Sequence, residues 1–122
     1  MRKTILSALL IGALATPALA DSYPVSGRWG QSTTSAEGAI DCKGKRVIEF
    51  KGDRRTDSKG SVPAFRNKSV SPAGPSSYRI VDLFSNGQVR NGSVNYTLRQ
   101  ADADHIEMNM SPGGMLKLQR CE

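Results

Sequence analysis

The sequence of 122 residues carries 17 basic and 11 acidic side chains, for a net charge of +6, and 38% of its residues are hydrophobic. This length supports one small domain and excludes a large multidomain enzyme. The phosphate-binding loop pattern and the dinucleotide-binding glycine pattern are both absent from the sequence.

The N-terminal end of the sequence has the three-part pattern of a secretory signal peptide. A positively charged start is followed by an apolar run over residues 5–14 and an A-x-A cleavage pattern at residues 18–20. The run is shorter than the roughly 20 apolar residues that a membrane-spanning helix needs. We therefore expect residues 1–20 to be a signal peptide and residues 21–122 to be a single soluble domain, periplasmic or secreted, with no transmembrane segment.

Five segments of the remaining chain have the residue patterns of β-strands. Residues 46–51 and 78–84 are rich in β-branched and aromatic side chains, as in strands buried on more than one side. Residues 93–100, 104–110 and 115–121 alternate apolar and polar side chains with a period of two. No segment has a convincing helical period, so the sequence predicts an all-β domain.

The connections between these segments are rich in turn-forming residues. Residues 31–38 are polar, residues 53–61 form a charged loop, and residues 69–77 form an irregular connection with two prolines. Two Asn-Gly pairs, at residues 86–87 and 91–92, are too close together to be two separate tight hairpins. We expect a small antiparallel up-and-down barrel of about seven or eight strands, with a two-sheet sandwich as the alternative.

The only two cysteines, Cys42 and Cys121, both lie in the expected mature domain. An exported protein meets an oxidising compartment, so a disulfide between them is the first interpretation. The alternative is a metal-binding or catalytic thiol, although the sequence contains no C-x-x-C pattern. The disulfide would bring the last strand beside the segment around Cys42, which favours a barrel.

Residues Gly27-Arg28-Trp29, near the start of the expected domain, form a G-x-W motif. The motif resembles the first-strand signature of the calycin barrels, which include lipocalins and small bacterial protease inhibitors. The resemblance implies that Trp29 closes one end of the core and that a basic residue from a late strand, Arg120 or Arg99, packs across it. The size and the single disulfide are similar to those of compact periplasmic inhibitors of proteases or lysozyme. A single tryptophan on a first strand is also simply a good core residue.

The positive charge is concentrated between residues 41 and 68, which contain nine basic and four acidic side chains. Such a segment indicates either a patch for an acidic partner or a solvated loop that aids solubility. Nucleic-acid binding is disfavoured because aromatic residues are not interleaved among the basic ones. The candidate binding residues are Lys43, Lys45, Arg46, Arg54, Arg55 and Lys59.

The sequence contains one histidine, His105, and three methionines follow it closely. With Met108, Met110 and Met115 it forms a cluster of soft ligands that resembles the Met-rich sites of small periplasmic Cu(I)-binding barrels. The alternation places Met108 and Met110 on the face of Ile106 and His105 on the other face, which favours core methionines and a surface histidine. We therefore expect no cofactor, no metal and no catalytic residue.

These observations predict an exported, non-enzymatic binding protein of the bacterial cell envelope. Its partner is expected to be a protein or another anionic molecule, bound in the manner of a hydrolase inhibitor through surface loops such as residues 52–61 and 69–77. The alternatives are a lipocalin-like carrier of a small ligand and, with less support, a Cu(I)-binding protein. A barrel of this size is expected to be filled by its own side chains, which favours binding at the surface.

Overall fold

A computed structural model describes residues 23–110 and 113–122. It contains eight antiparallel strands that form a closed barrel in sequence order, which confirms the up-and-down barrel and excludes the sandwich. The predicted signal peptide, residues 1–20, lies outside the described residues. In the described part of the chain, no helix is long and apolar enough to span a membrane. The strands are β1 (Gly27–Gln31), β2 (Val47–Lys51), β3 (Arg54–Asp57), β4 (Phe65–Pro72), β5 (Ser77–Phe84), β6 (Gly92–Gln100), β7 (His105–Met110) and β8 (Gly114–Arg120).

Alternation along the strands directs apolar side chains into the barrel, and the closure of β1 on β8 leaves no free sheet edge. On β6, for example, Tyr96 and Leu98 point inward while the residues between them point outward. The first Asn-Gly pair lies within a single connection of residues 85–91, and the second spans the end of that connection and the first residue of β6. Within the connection, Asn86 Oδ1 accepts hydrogen bonds from the backbone N–H groups of Gln88 and Val89. The buried apolar core consists of Tyr23, Val25, Trp29, Ile48, Phe50, Ile80, Tyr96, Leu98, Ile106, Met108, Leu116 and Leu118.

Two segments predicted to be loops are wholly or partly strand. Residues 53–61 contain β3, and β4 extends to Pro72, into the connection predicted at residues 69–77. β3 has the sequence RRTD and its inward residue is Arg55, so it has no apolar alternation to recognise. On β4, a register shift between Asn67 and Ser69 interrupts the period of two. The first prediction was wrong because the inward residue of β3 is charged, and the second because the register shift interrupts the alternation of β4 just before residue 69.

The disulfide between Cys42 and Cys121 is present and joins residues 79 positions apart, with 5.6 Å between their Cα atoms. It crosses the outer face of β1 at Gly30, where a Cβ atom would collide with Cys42 Sγ. Gly30 therefore provides the space that the bridge needs.

The connection between β1 and β2 folds back over the outer face of β8. Gln119, on that face, is fully buried beneath this connection. Its side-chain amide donates to the carbonyls of Ala36 and Gly38, at 2.9 and 2.8 Å. Its Oε1 atom accepts a hydrogen bond from Ser32 Oγ at 3.0 Å. The polar connection is thereby tied to the barrel by specific hydrogen bonds.

Trp29 is fully buried, and its indole N–H donates to the carbonyl of Ser26 at 3.1 Å. The guanidinium of Arg120 lies 4.5 Å from the centroid of the Trp29 ring, in cation–π geometry. Gly27 has a φ of 96°, and a Cβ there would lie 3.8 Å from Arg120 Nη1. The other arginine considered for this position, Arg99, pairs with Glu107 on the outer face instead.

Candidate functional site

The six cations of the predicted patch do not form one surface. Arg55 is only 1% exposed and lies inside the barrel, so its assignment to a surface patch was wrong. Its position follows from register, since it lies opposite the inward-facing residues Phe50 and Phe65. Arg46 is held by Asp57, with 2.6 Å between Nη2 and Oδ2 and 3.1 Å between Nε and Oδ1. The exposed members are Arg54 on β3 and, on loops, Lys43, Lys45 and Lys59.

A different set of cations is aligned on the outside of the barrel. Lys51 on β2 lies directly opposite Arg54 on β3, and Arg54 lies directly opposite Arg66 on β4. We call these three exposed residues the basic row. None of the ion pairs found among the described residues includes a member of the basic row. The row is therefore a line of cations without carboxylate partners in the described chain.

An open groove of about 390 Å³, lined by both apolar and polar side chains, adjoins the basic row. Leu83 on β5 continues the row, because it lies directly opposite Arg66 and faces outward. Phe65 and Phe84 pack edge to face at the barrel rim, with ring centroids 5.7 Å apart. We call this depression the rim groove; its lining includes Arg54, Pro63, Phe65, Arg66, Leu83 and Phe84.

Inside the barrel, Arg55 and Asp82 form a fully buried ion pair, with exposures of 1% and 0%. Arg55 Nε donates to Asp82 Oδ2 at 2.8 Å, and the Tyr96 hydroxyl donates to the same oxygen at 2.9 Å. Asn67 Nδ2 donates to Asp82 Oδ1 at 3.2 Å. The carboxylate therefore accepts from three side chains on three different strands, and a buried charge requires such partners.

The guanidinium of Arg55 also lies between two aromatic rings, 3.9 Å from the centroid of Phe65 and 4.9 Å from that of Tyr96. Burial opposes its charged form, but the neighbouring Tyr96 and Asp82 outweigh this effect and raise the pKa of Arg55. Burial, followed by the charge of Asp82, raises the pKa of Tyr23 far above its ordinary value. Within the described residues, Arg55 Nη1 and Nη2 and the Tyr23 hydroxyl are buried without a hydrogen bond.

His105 is half-buried beside a second depression, of about 190 Å³, that is rich in hydroxyl groups. Its Nδ1 atom lies 2.8 Å from Asp102 Oδ1. The hydrogen bond to Asp102 raises the pKa of His105, and the same bond lowers the pKa of Asp102. When His105 is protonated, its Nδ1–H group donates to the Asp102 carboxylate at the turn between β6 and β7.

The four residues considered for Cu(I) are placed in different environments. Met108 is fully buried in the core, and Met110 is partly buried against it. Met115 is 53% exposed and lies opposite Asn109 on the outer face, where His105 also points. The described residues also contain no cluster of three His, Cys, Asp or Glu side chains suited to a metal ion.

The chain matches no protein-family model, no curated protein and no solved structure. Functional inference therefore rests on the geometry of the basic row, the rim groove and the barrel interior.

Sequence reasoning missed two of the three members of the basic row. Lys51 and Arg66 are basic residues of the segment 41–68, but the strand register that aligns them with Arg54 depends on β3, which has no sequence signal.

A signal did exist for the buried ion pair. In β5, Asp82 lies at alternate positions with Ile80 and Phe84, which predicts an acidic side chain on the inward face.

Proposed function

We propose that this chain is an exported, non-enzymatic binding protein of the cell envelope, periplasmic or secreted, whose partner is another protein. The observation that carries the proposal is the basic row: three exposed cations in direct cross-strand register, with no carboxylate partner among the described residues. Such a surface is complementary to an acidic protein surface and would accelerate association with it. The role is that of a small envelope inhibitor of a hydrolase.

We propose in addition that the barrel is calycin-like, which the packing at one end of the barrel supports. The first strand contributes the buried Trp29, and Arg120 from the last strand lies over its ring. The eight strands follow one another around a closed barrel. These features agree with the arrangement that the G-x-W motif implies.

The contents of the barrel favour a partner at the surface over a small ligand carried inside. Bulky side chains such as Trp29 and Phe50 are fully or almost fully buried, and the Arg55–Asp82 pair occupies further interior space. Four depressions lined by described residues lie on the outer face or at the rim. A ligand-carrying barrel would need an enclosed cavity of a few hundred Å³.

Native mass spectrometry of the protein purified from its own envelope tests the proposal. We expect a complex with one protein partner in fixed stoichiometry, which dissociates as the salt concentration rises because surface charges are screened. A co-purifying small molecule in place of a protein would overturn the proposal in favour of the carrier. Turnover of a hydrolase substrate by the purified chain would overturn its non-enzymatic part.

A further inference from the structure

We infer that the basic row and the rim groove together form a docking site for an acidic helical segment of the partner, with an apolar side chain of that segment seated in the groove. This inference rests on the proposed function and specifies the chemistry of the partner's contact segment. It follows from the alignment of the cations, the charges around them and the apolar surface beside them.

The alignment of the row is unfavourable for the barrel alone. Like charges directly opposite each other on neighbouring strands repel, and Arg54 faces a cation on both sides. The chain places carboxylates against other arginines, as it does for Arg46 and Arg99. A partner that supplies negative charge would relieve the repulsion within the row.

The nearby acidic side chains do not neutralise the row. Glu49 faces outward on β2, but the residue directly opposite it on β1 is Arg28. Asp53, in the turn between β2 and β3, forms no ion pair within the described part of the chain. The irregular register of β4 leaves Lys68 exposed as well, which adds a further positive charge beside Arg66.

The spacing of the row favours a helical segment. Neighbouring strands lie about 4.8 Å apart, so the stems of Lys51, Arg54 and Arg66 are separated by roughly this distance. Acidic side chains three or four residues apart on a helix are separated by about 5–6 Å. Alternate side chains on an extended strand are about 6.7 Å apart, which fits the row less well.

The rim groove favours a protein over an anionic polysaccharide. Leu83 continues the line of the three cations, and Phe65 and Phe84 lie beside it at the rim. A helix with acidic residues over two turns would therefore place its next residue on that face over an apolar surface. An anionic polysaccharide has no apolar side chain to seat in the groove.

Fluorescence anisotropy with designed helical peptides tests the inference. The probe has glutamates at positions i, i+4 and i+7 and a leucine one turn further on. One control peptide replaces the glutamates with glutamine, and a second replaces the leucine with alanine. We expect the probe to bind at low salt at least about tenfold more tightly than the glutamine peptide, and more tightly than the alanine peptide.

Matched protein variants distinguish binding at the basic row from a general effect of positive charge. The row variant K51Q/R54Q/R66Q should lose at least about tenfold in affinity for the probe. The loop variant K43Q/K45Q/K59Q removes the same charge from exposed positions and should stay within about threefold of wild type. Leu83→Ser should abolish the preference for the leucine peptide over the alanine peptide. Circular dichroism would verify that each variant remains folded.

Several results would overturn the inference. Equal losses of peptide affinity in the row and loop variants would do so, as would the absence of a preference for the glutamate peptide or for the leucine peptide. Tighter and equally row-dependent binding of a sulfated polysaccharide would also overturn it. A native protein complex that is unaffected in the row variant would overturn the docking site and leave the proposed function standing. Row-dependent peptide binding without any native protein complex would instead overturn the proposed function.

Discussion

The buried ion pair offers the sharpest test of how this barrel is stabilised. Asp82→Asn keeps the shape of the side chain but leaves the guanidinium of Arg55 in the interior without its carboxylate. Removing one partner of a buried pair costs about 3–5 kcal/mol, a large part of the roughly 5–15 kcal/mol that stabilises a typical domain. With a urea m-value of about 2 kcal/mol/M, the unfolding midpoint should fall by about 2 M.

A double-mutant cycle of Arg55→Met, Asp82→Leu and the two combined distinguishes the lost ion pair from simple loss of packing. Arg55→Met combined with Asp82→Leu removes both charges together and also the Nη1 and Nη2 donors that have no acceptor in the described residues. Paired removal of the charges is often neutral or stabilising, but Asp82→Leu also removes the acceptor of the Tyr96 hydroxyl, so the double variant should lose about 1–3 kcal/mol, less than Asp82→Asn alone. Urea unfolding followed by tryptophan fluorescence measures both, since Trp29 is buried in the core.

Two results would refute this reasoning. A cost below about 1 kcal/mol for Asp82→Asn would mean that water reaches the pair. A double variant that loses the sum of the two single losses would mean that the charges do not interact. Tyr96→Phe provides a graded control, because it removes only one hydrogen bond to the carboxylate and should cost about 1.5–3 kcal/mol.

Three further predictions concern the disulfide, the basic row and the histidine. Replacing Cys42 and Cys121 with serine should lower the free energy of unfolding by about 4.5 kcal/mol, the value that the loop-entropy model gives for a loop of 79 residues. Urea titrations measure this loss, and a loss below about 1 kcal/mol would contradict the prediction. Arg54→Glu should raise stability by about 0.2–1 kcal/mol, because two repulsions become attractions, and should abolish binding of the glutamate peptide; a less stable variant would count against the repulsion. The bond between Asp102 and His105 should stabilise the fold above about pH 4 and lose this effect as pH rises through the raised pKa of His105. Thermal melts should therefore show a larger deficit for Asp102→Asn at pH 5 than at pH 9, and a deficit that does not depend on pH would rule the linkage out.

The sequence alone determined the all-β class and most of the strands, because apolar alternation is a local signal, whereas the choice of a barrel over a sandwich needed the strand pairing. Tyr96 and Leu98 on β6, and Ile106 and Met108 on β7, indicate an inward face without any knowledge of the neighbouring strands. The disulfide was equally accessible, since the only two cysteines in the sequence leave one intramolecular pairing.

Only the tertiary structure decided where the charges lie. Arg54 and Arg55 are adjacent in sequence and chemically alike, yet one is exposed in the basic row and the other is buried against Asp82. The difference arises from the register of β3, which is set by pairing with β2 and β4 and not by its own four polar residues. Composition located the excess of positive charge between residues 41 and 68, but the fold divided it among a buried ion pair, a partly buried ion pair, the basic row and four other exposed lysines.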